Sequence, residues 1–303
     1  MGSNGKAVRV LLLGANGQIG NELAKNLVHM GSITALARGD ADFRQAEELR
    51  SVVRKYSPDI LVNAAAYTAV DSAESEPELA MAVNADAPGV LAAEAESIGA
   101  CFVHYSTDYV FDGRSAEPYT EDSPVNPLSV YGRSKLAGEL AVASTCSRYL
   151  IFRTSWVFGA KGHNFVKRVL QLARDQTSLR IVADQVGAPT SAELVASSTA
   201  SVLKAMTSAP ATDRRWGMYH LTAAGATSWH GLASYIVEVA LEKGARLRIS
   251  PSDICPVSTA EYPVEAPRPA NSVLSTDKIQ QTFHLNIPNW KIGVNQVLDV
   301  LVS

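Results

Sequence analysis

Val8-Arg9-Val10-Leu11-Leu12-Leu13-Gly14-Ala15-Asn16-Gly17-Gln18-Ile19-Gly20 is the stretch whose reading decides the fold. Val8 to Leu13 is a short apolar run, β-branched at its start, as in strands buried on both faces of a parallel sheet. A G-x-x-G-x-x-G turn follows, and then an amphipathic stretch from Asn21 to Met30. Strand, glycine turn and helix in that order are the context that gives a glycine motif meaning. Gly14 and Gly17 allow a sharp turn and a close approach of backbone to a pyrophosphate, and Gly20 allows helix and strand to pack closely. The free N–H groups and positive dipole end of the helix would then face the phosphates.

Outward from this unit the alternation repeats. Ile33 to Ala37 reads as a second strand, Ala46 to Tyr56 as a helix and Asp59 to Asn63 as a third strand. Pro77 to Ile98 reads as a long Ala-rich helix kinked near Pro88-Gly89, and Cys101 to Tyr105 as a fourth strand. Tyr149 to Thr154 is a fifth. The pattern predicts an α/β fold with a doubly wound parallel sheet. Beyond it come helical stretches at 165–174, 192–206 and 229–243, a short strand at Ile181-Val182 and a proline-rich segment from Pro251 to Pro269. A last helix begins near Gly293. We expect a dinucleotide-binding domain over residues 1–155, with segments near 180–210 returning to it. Residues 156–303 would form mostly a smaller C-terminal substrate-binding lobe.

The totals exclude several classes. In 303 residues, 47% are hydrophobic and 19% charged, with a net charge of -3. Nothing there attracts nucleic acid or an anionic membrane surface. No run approaches the roughly 20 apolar residues of a membrane span, and the first residues lack an apolar signal region. Cys101, Cys146 and Cys255 show neither zinc nor disulfide spacing. They read as reduced thiols of a soluble, cytoplasmic chain.

Two polar segments carry candidate chemistry. Ser106-Thr107-Asp108 falls at the carboxyl end of the fourth strand, the edge where open parallel sheets bind ligands. Tyr131-Gly132-Arg133-Ser134-Lys135 opens a helical run and sets Tyr131 and Lys135 one turn apart on one face. An ammonium there favours the tyrosinate of a phenol whose reference pKa is ~10, readying it for proton transfer to a sugar or alcohol oxygen. Taken alone, the same spacing also suits a surface pair. At the end of the second strand, where an acidic residue often binds the adenine ribose, stand Ala37 and Arg38. Arg38 could pair with a 2′-phosphate, which favours NADPH; NADH stays open, as does a solvated Arg38.

With GANGQIG, NAAA, STD and YGRSK in this order, the chain resembles the extended short-chain dehydrogenase/reductases, and among them the dTDP-4-dehydrorhamnose reductases. The resemblance runs from Val8 to about Trp290. It is carried by VNAAAYTAVDSAESEPELA at 62–80, HYSTDYVFDG at 104–113 and VYGRSKLAGE at 130–139. FRTSWVF at 152–158, DQVGAPT at 184–190 and APRPANSVL at 266–274 extend it.

It implies reduction of a 4-keto sugar nucleotide to dTDP-L-rhamnose. Tyr131 would be the proton donor, Lys135 would lower the Tyr131 pKa and bond the nicotinamide ribose, and Thr107 would fix the carbonyl or the phenol. Cofactor contacts would fall on Gly17, Gln18, Ile19, Asp42, Phe43, Ala66, Tyr67, Thr68 and Tyr105, and sugar-nucleotide contacts on Asp108 and Trp156. Arg268 reads either as a solvated side chain or as a bidentate clamp on the diphosphate. Some members dimerise through a magnesium site of glutamates. Glu22 and Glu193 match two positions, but Val300, beside Asp299, stands at the third, so we expect no firmly bound metal. Magnesium dependence and a homodimer stay open. His104, His163, His220 and His230 read as structural, and the acidic residues at 71–78 as a solvated helix-capping face. The alternatives are another nucleotide-sugar reductase or epimerase, or a non-catalytic subunit resembling the β-subunit of methionine adenosyltransferase.

Overall fold

Residues 7–302 are described by the structure, a computed structural model. Five strands match the alternating pattern: β1 (Val8–Leu13), β2 (Gly31–Leu36), β3 (Ile60–Asn63), β4 (Cys101–Thr107) and β5 (Tyr149–Thr154). A further strand, Gly217–His220, joins them, and the six lie in the order Gly217–His220, β5, β4, β3, β1, β2. Every neighbouring pair is parallel. Alternation within each strand serves two cores. Val10 and Leu12 of β1 face one, with Val62, Val103 and Phe152, while Leu11 and Leu13 face the other, with Leu61, Phe102 and Ile151. Helix α1 (Gln18–Asn26) joins the first core, and α2 (Ala46–Tyr56) the second.

The strand order reverses between β1 and β3. Ligands of open parallel sheets bind at such a switch point, outside the carboxyl ends of the strands. Here it brings the glycine turn after β1 against Ala64-Ala65 after β3. A Cβ on Gly14, whose φ is +81°, would meet the Ala65 nitrogen at 2.5 Å, and one on Gly20 would meet the Gly14 oxygen at 2.1 Å.

Several elements differ from the sequence reading. The first helix starts at Gln18 rather than Asn21 and ends in a separate 3₁₀ turn, Val28–Met30. The Ala-rich helix is broken, though not at Pro88-Gly89. It comprises α3 (Val70–Ser75), α4 (Pro77–Met81), a π turn over Ala82–Asp86 and α5 (Ala87–Ser97). Pro88 has no N–H to give the Asn84 carbonyl, and the chain absorbs the missing bond by widening just before the proline. Helix α6 (Val130–Thr145) packs there: a Cβ on Gly138 would sit 2.1 Å from that carbonyl.

The C-terminal half supplies α7 (Phe165–Asp175), α8 (Ala192–Met206), α9 (Trp229–Glu242), α10 (Asp277–Phe283) and α11 (Trp290–Val302). Buried Leu232, Ile236, Trp290 and Val294 continue the core of the α1 face, so the later segments share its hydrophobic interior. Among the described residues no helix is long and apolar enough to cross a membrane.

Gly138→Ala should cost about 1–3 kcal/mol, because the methyl would displace backbone rather than a mobile side chain. Gly39→Ala, with nothing within 4 Å of the new carbon, should stay within about 0.5 kcal/mol. Urea unfolding of both variants checks this, and equal midpoints would contradict it.

Candidate active site

A cavity of about 710 Å³ opens along the carboxyl ends of β1 to β5. Each side is built locally. Gly17 begins α1 without a side-chain cap, which leaves the first N–H groups of the helix turned toward the cavity. The turn after β3 is held by Asn84 of the π segment: Oδ1 accepts the Tyr67 N–H at 2.8 Å, and Nδ2 donates to the Tyr67 carbonyl at 3.0 Å. Nδ2 also donates to Ser134 Oγ of α6 at 3.0 Å. Strand β4 runs two residues beyond its expected end and carries Thr107 into the cavity wall.

Helix α6 is tied down at its start. Ser129 Oγ accepts the Gly132 N–H at 3.1 Å, and Glu74 Oε1 accepts the Val130 N–H at 2.7 Å. Gly132 lets the helix lie against the 3₁₀ turn that follows β4, Asp108–Val110, since a Cβ would stand 2.3 Å from the Tyr109 oxygen. Tyr131 and Lys135 therefore face the cavity together. The Lys135 ammonium nitrogen, Nζ, donates to the Tyr105 carbonyl at 2.6 Å and lies 3.3 Å from His104 Nε2. Lys135 is fully buried, and burial lowers its pKa to about 8, against the opposing charge of Glu139. Glu139 is itself buried and paired with Arg153 at 2.7 Å.

Burial also pushes the Tyr131 phenol up to about 12, opposed by its hydrogen bond with Thr107 and reinforced by the charge of Asp108. Tyr131 is thus shifted upward rather than downward, because loss of solvent outweighs its neighbours. Thr107 Oγ1 donates to Asp108 Oδ1 at 3.0 Å and accepts the Tyr109 N–H at 3.2 Å. Burial raises the Asp108 carboxyl to about 7. Asp108 Oδ2, Ser106 Oγ and Thr154 Oγ1 are buried without partners, and all three residues line the cavity. Unpaired buried polar atoms are costly, and here they await a polar ligand.

Residues 8–303 match the family described as the RmlD substrate binding domain. The dTDP-4-dehydrorhamnose reductase of Burkholderia thailandensis is 48% identical, over 98% of this chain and 100% of its own length. That of Salmonella typhimurium is 44% identical, over 96% of this chain and 97% of its own. This chain belongs to the dTDP-4-dehydrorhamnose reductase family, within the extended short-chain dehydrogenase/reductases. The crystal structure of a Clostridium acetobutylicum reductase of this name superposes with a TM-score of 0.89 at 34% identity, covering 97% of this chain and 100% of that one. A Bacillus anthracis reductase solved in complex with NADP gives 0.87 at 32%, with the same coverage.

Set beside the family's pattern, the cavity gathers most of the residues singled out from sequence. Gly14, Gly17, Gln18, Ile19, Arg38, Asp42, Phe43, Ala66, Tyr67, Thr68, Tyr105, Thr107, Asp108, Tyr131, Lys135 and Trp156 all line it. Gly20 does not; it packs beneath the turn. Arg268 lies elsewhere, on a second cavity of about 830 Å³. Its guanidinium is engaged bidentately by Asp71, at 2.9 and 2.7 Å, and so is not free to clamp a diphosphate in this structure. The acidic residues at 71–78 are correspondingly tethers more than a solvated face. Asp71 holds Arg268, Glu74 caps α6 and Glu76 accepts the Tyr67 hydroxyl. Of the carboxylates at or beside the magnesium positions, Glu22 is paired with Lys25, and Asp299, next to Val300, with Lys243. Among the described residues no three His, Cys, Asp or Glu side chains are grouped to hold a metal.

Sequence reading missed Trp229. It stacks on Trp156 with centroids 3.5 Å apart and planes within 6°, and it borders both cavities. Trp156 has a φ of +47°, a strained value for a large side chain, and the stack helps to hold it there. No local signal marks such a contact across 73 positions of chain.

The Asp71–Arg268 fork ties α3 to the proline-rich segment of the C-terminal half. Asp71→Asn should therefore speed proteolytic cleavage within 262–269 several-fold, and an unchanged rate would show the tether to be dispensable.

Proposed function

We propose that this protein reduces the 4-keto group of dTDP-4-dehydrorhamnose to give dTDP-L-rhamnose, using NADPH. The observation that carries the reading is Tyr131, Thr107 and Lys135 meeting in one cavity beside the unpartnered atoms Asp108 Oδ2, Ser106 Oγ and Thr154 Oγ1, in a chain of this family.

The residues suit a dinucleotide. Gly14 takes a backbone conformation that only glycine adopts easily, and the uncapped α1 terminus offers N–H donors to phosphates. Arg44 occupies Asp42 through three side-chain bonds, one of them 2.6 Å, and holds its pKa down to about 2. Arg38 lines the cavity with no salt-bridge partner among the described residues, which supports a role in pairing with a 2′-phosphate. NADPH, when bound, supplies the hydride.

The chain's own groups manage the proton. As the ketone carbon is reduced, its oxygen gains negative charge, and Tyr131 donates the phenolic proton to it. With a pKa near 12 the phenol is protonated at neutral pH, as a donor must be. Thr107 fixes the phenol from one side, while Asp108 anchors the Thr107 hydroxyl. Trp156 and Trp229 form an apolar wall that shields the reacting carbon from water. Lys135 in its ammonium form steadies the negative charge left on Tyr131.

Tyr131→Phe should lower kcat by about 10²–10⁴, with NADPH binding retained; near-wild-type turnover would end the proposal. Arg38→Ala should raise KM for NADPH about tenfold and leave that for NADH unchanged. A lysine is charged below its pKa and neutral above it. Reduction should therefore fall as pH rises through about 8, which a kcat/KM profile checks.

A further inference from the structure

We propose that His104 is a positioning residue that favours the uncharged amine of Lys135, through a one-way chain of hydrogen bonds starting at the turn after β3. The chain is read from donor and acceptor roles. A backbone N–H can only donate, and that of Ala65 reaches Asn63 Oδ1 at 3.1 Å. This fixes the amide orientation and leaves Nδ2, a donor, 3.2 Å from His104 Nδ1. Nδ1 must then accept, so the single ring proton of neutral His104 lies on Nε2. Nε2 is 3.3 Å from Lys135 Nζ, whose own N–H is directed to the Tyr105 carbonyl.

Only a neutral amine has a lone pair for Nε2–H. An ammonium would set two donors against each other, or force the ring proton to Nδ1 and against the Asn63 amide. Asn63, His104 and Lys135 are 1%, 0% and 2% exposed, so solvent cannot relieve either conflict. Burial and the nearby Lys135 charge hold His104 far below its usual pKa, which keeps the ring neutral. The other titratable groups around Lys135 are Tyr131 and Glu139 on its own helix, and Asp108 beyond β4. Arg153 of β5 neutralises Glu139, whose charge favours the ammonium. From α3 and the π turn, Glu74 and Asn84 reach α6 at Val130 and Ser134 instead.

The chain also has a starting point. Ala65 abuts Gly14 of the glycine turn, so the segment facing a dinucleotide and the lysine beside Tyr131 are joined by consecutive polar contacts. The effect on turnover rests on the reductase reading, whereas the tautomer does not, and the two are measured separately.

The full chain, labelled with ¹⁵N-histidine, is examined by long-range ¹H–¹⁵N correlation at pH 9, with and without NADPH. His104 is assigned by its absence in His104→Gln. We expect a protonated Nε2 and a bare Nδ1 in the wild type. In Asn63→Asp the carboxylate accepts from both Ala65 and the ring, and the proton should move to Nδ1. In His104→Gln the amide oxygen can accept from an ammonium, and the alkaline limb of kcat/KM should move up by about one pH unit, tenfold in proton concentration. A wild-type Nδ1–H tautomer, an unaltered tautomer in Asn63→Asp, or an unmoved limb in His104→Gln would each overturn the proposal. Loss of all turnover with the expected tautomers would instead count against the reductase reading.

Discussion

The Lys135 side chain reaches the Tyr105 carbonyl at 2.6 Å from inside the protein, and the geometry around it follows from burying that amine. The helix that carries it lies against the turn after β4 and against the π turn, which requires glycine at 132 and 138. The carbonyl it meets is that of Tyr105 on β4, and Asn84 of the π turn clamps the same helix at Ser134. Burial works against its charge, and Glu139, which would favour that charge, is itself paired with Arg153. Removing one partner of a buried pair of that kind costs about 3–5 kcal/mol. Position and charge at Lys135 are therefore coupled to the fold itself.

The second half of the chain meets this rigid edge through softer contacts. Arg268 and Asp71 form a half-exposed ion pair, of a class contributing at most about 1 kcal/mol. Its role is orientation more than stability. Trp156 and Trp229 close the wall between the two cavities through a flat stack held on a strained backbone. An edge built from the sheet thus holds Thr107, Tyr131 and Lys135, and a wall built from loops and α9 borders the same cavity.

Much of this could be read from residues that act locally. Val8 to Leu13 with its three glycines marks a buried strand and a tight turn, and the boundaries of α2, β5 and α8 match the sequence reading. The fold class followed. Where contacts are made at a distance, local pattern was silent. Gly217–His220 is four residues long and becomes a strand only because β5 offers an open edge. Pro88 marked a break, but its position depended on α6 packing at Gly138. Arg268 reads from sequence as either a solvated side chain or a diphosphate clamp, since nothing nearby reveals Asp71, 197 positions away. His104 reads as structural from sequence, where its contacts with Asn63 and Lys135, 41 and 31 positions away, leave no local mark.

The most direct measurement follows the transferred hydrogen. The protein is incubated with [4-²H]NADPH, labelled at the transferred position, and dTDP-4-dehydrorhamnose generated in situ, and the product is examined by NMR. The account predicts dTDP-L-rhamnose with deuterium at C4, formed by the wild type and not by Tyr131→Phe. NADPH bound without product, or product with protium at C4, would contradict it.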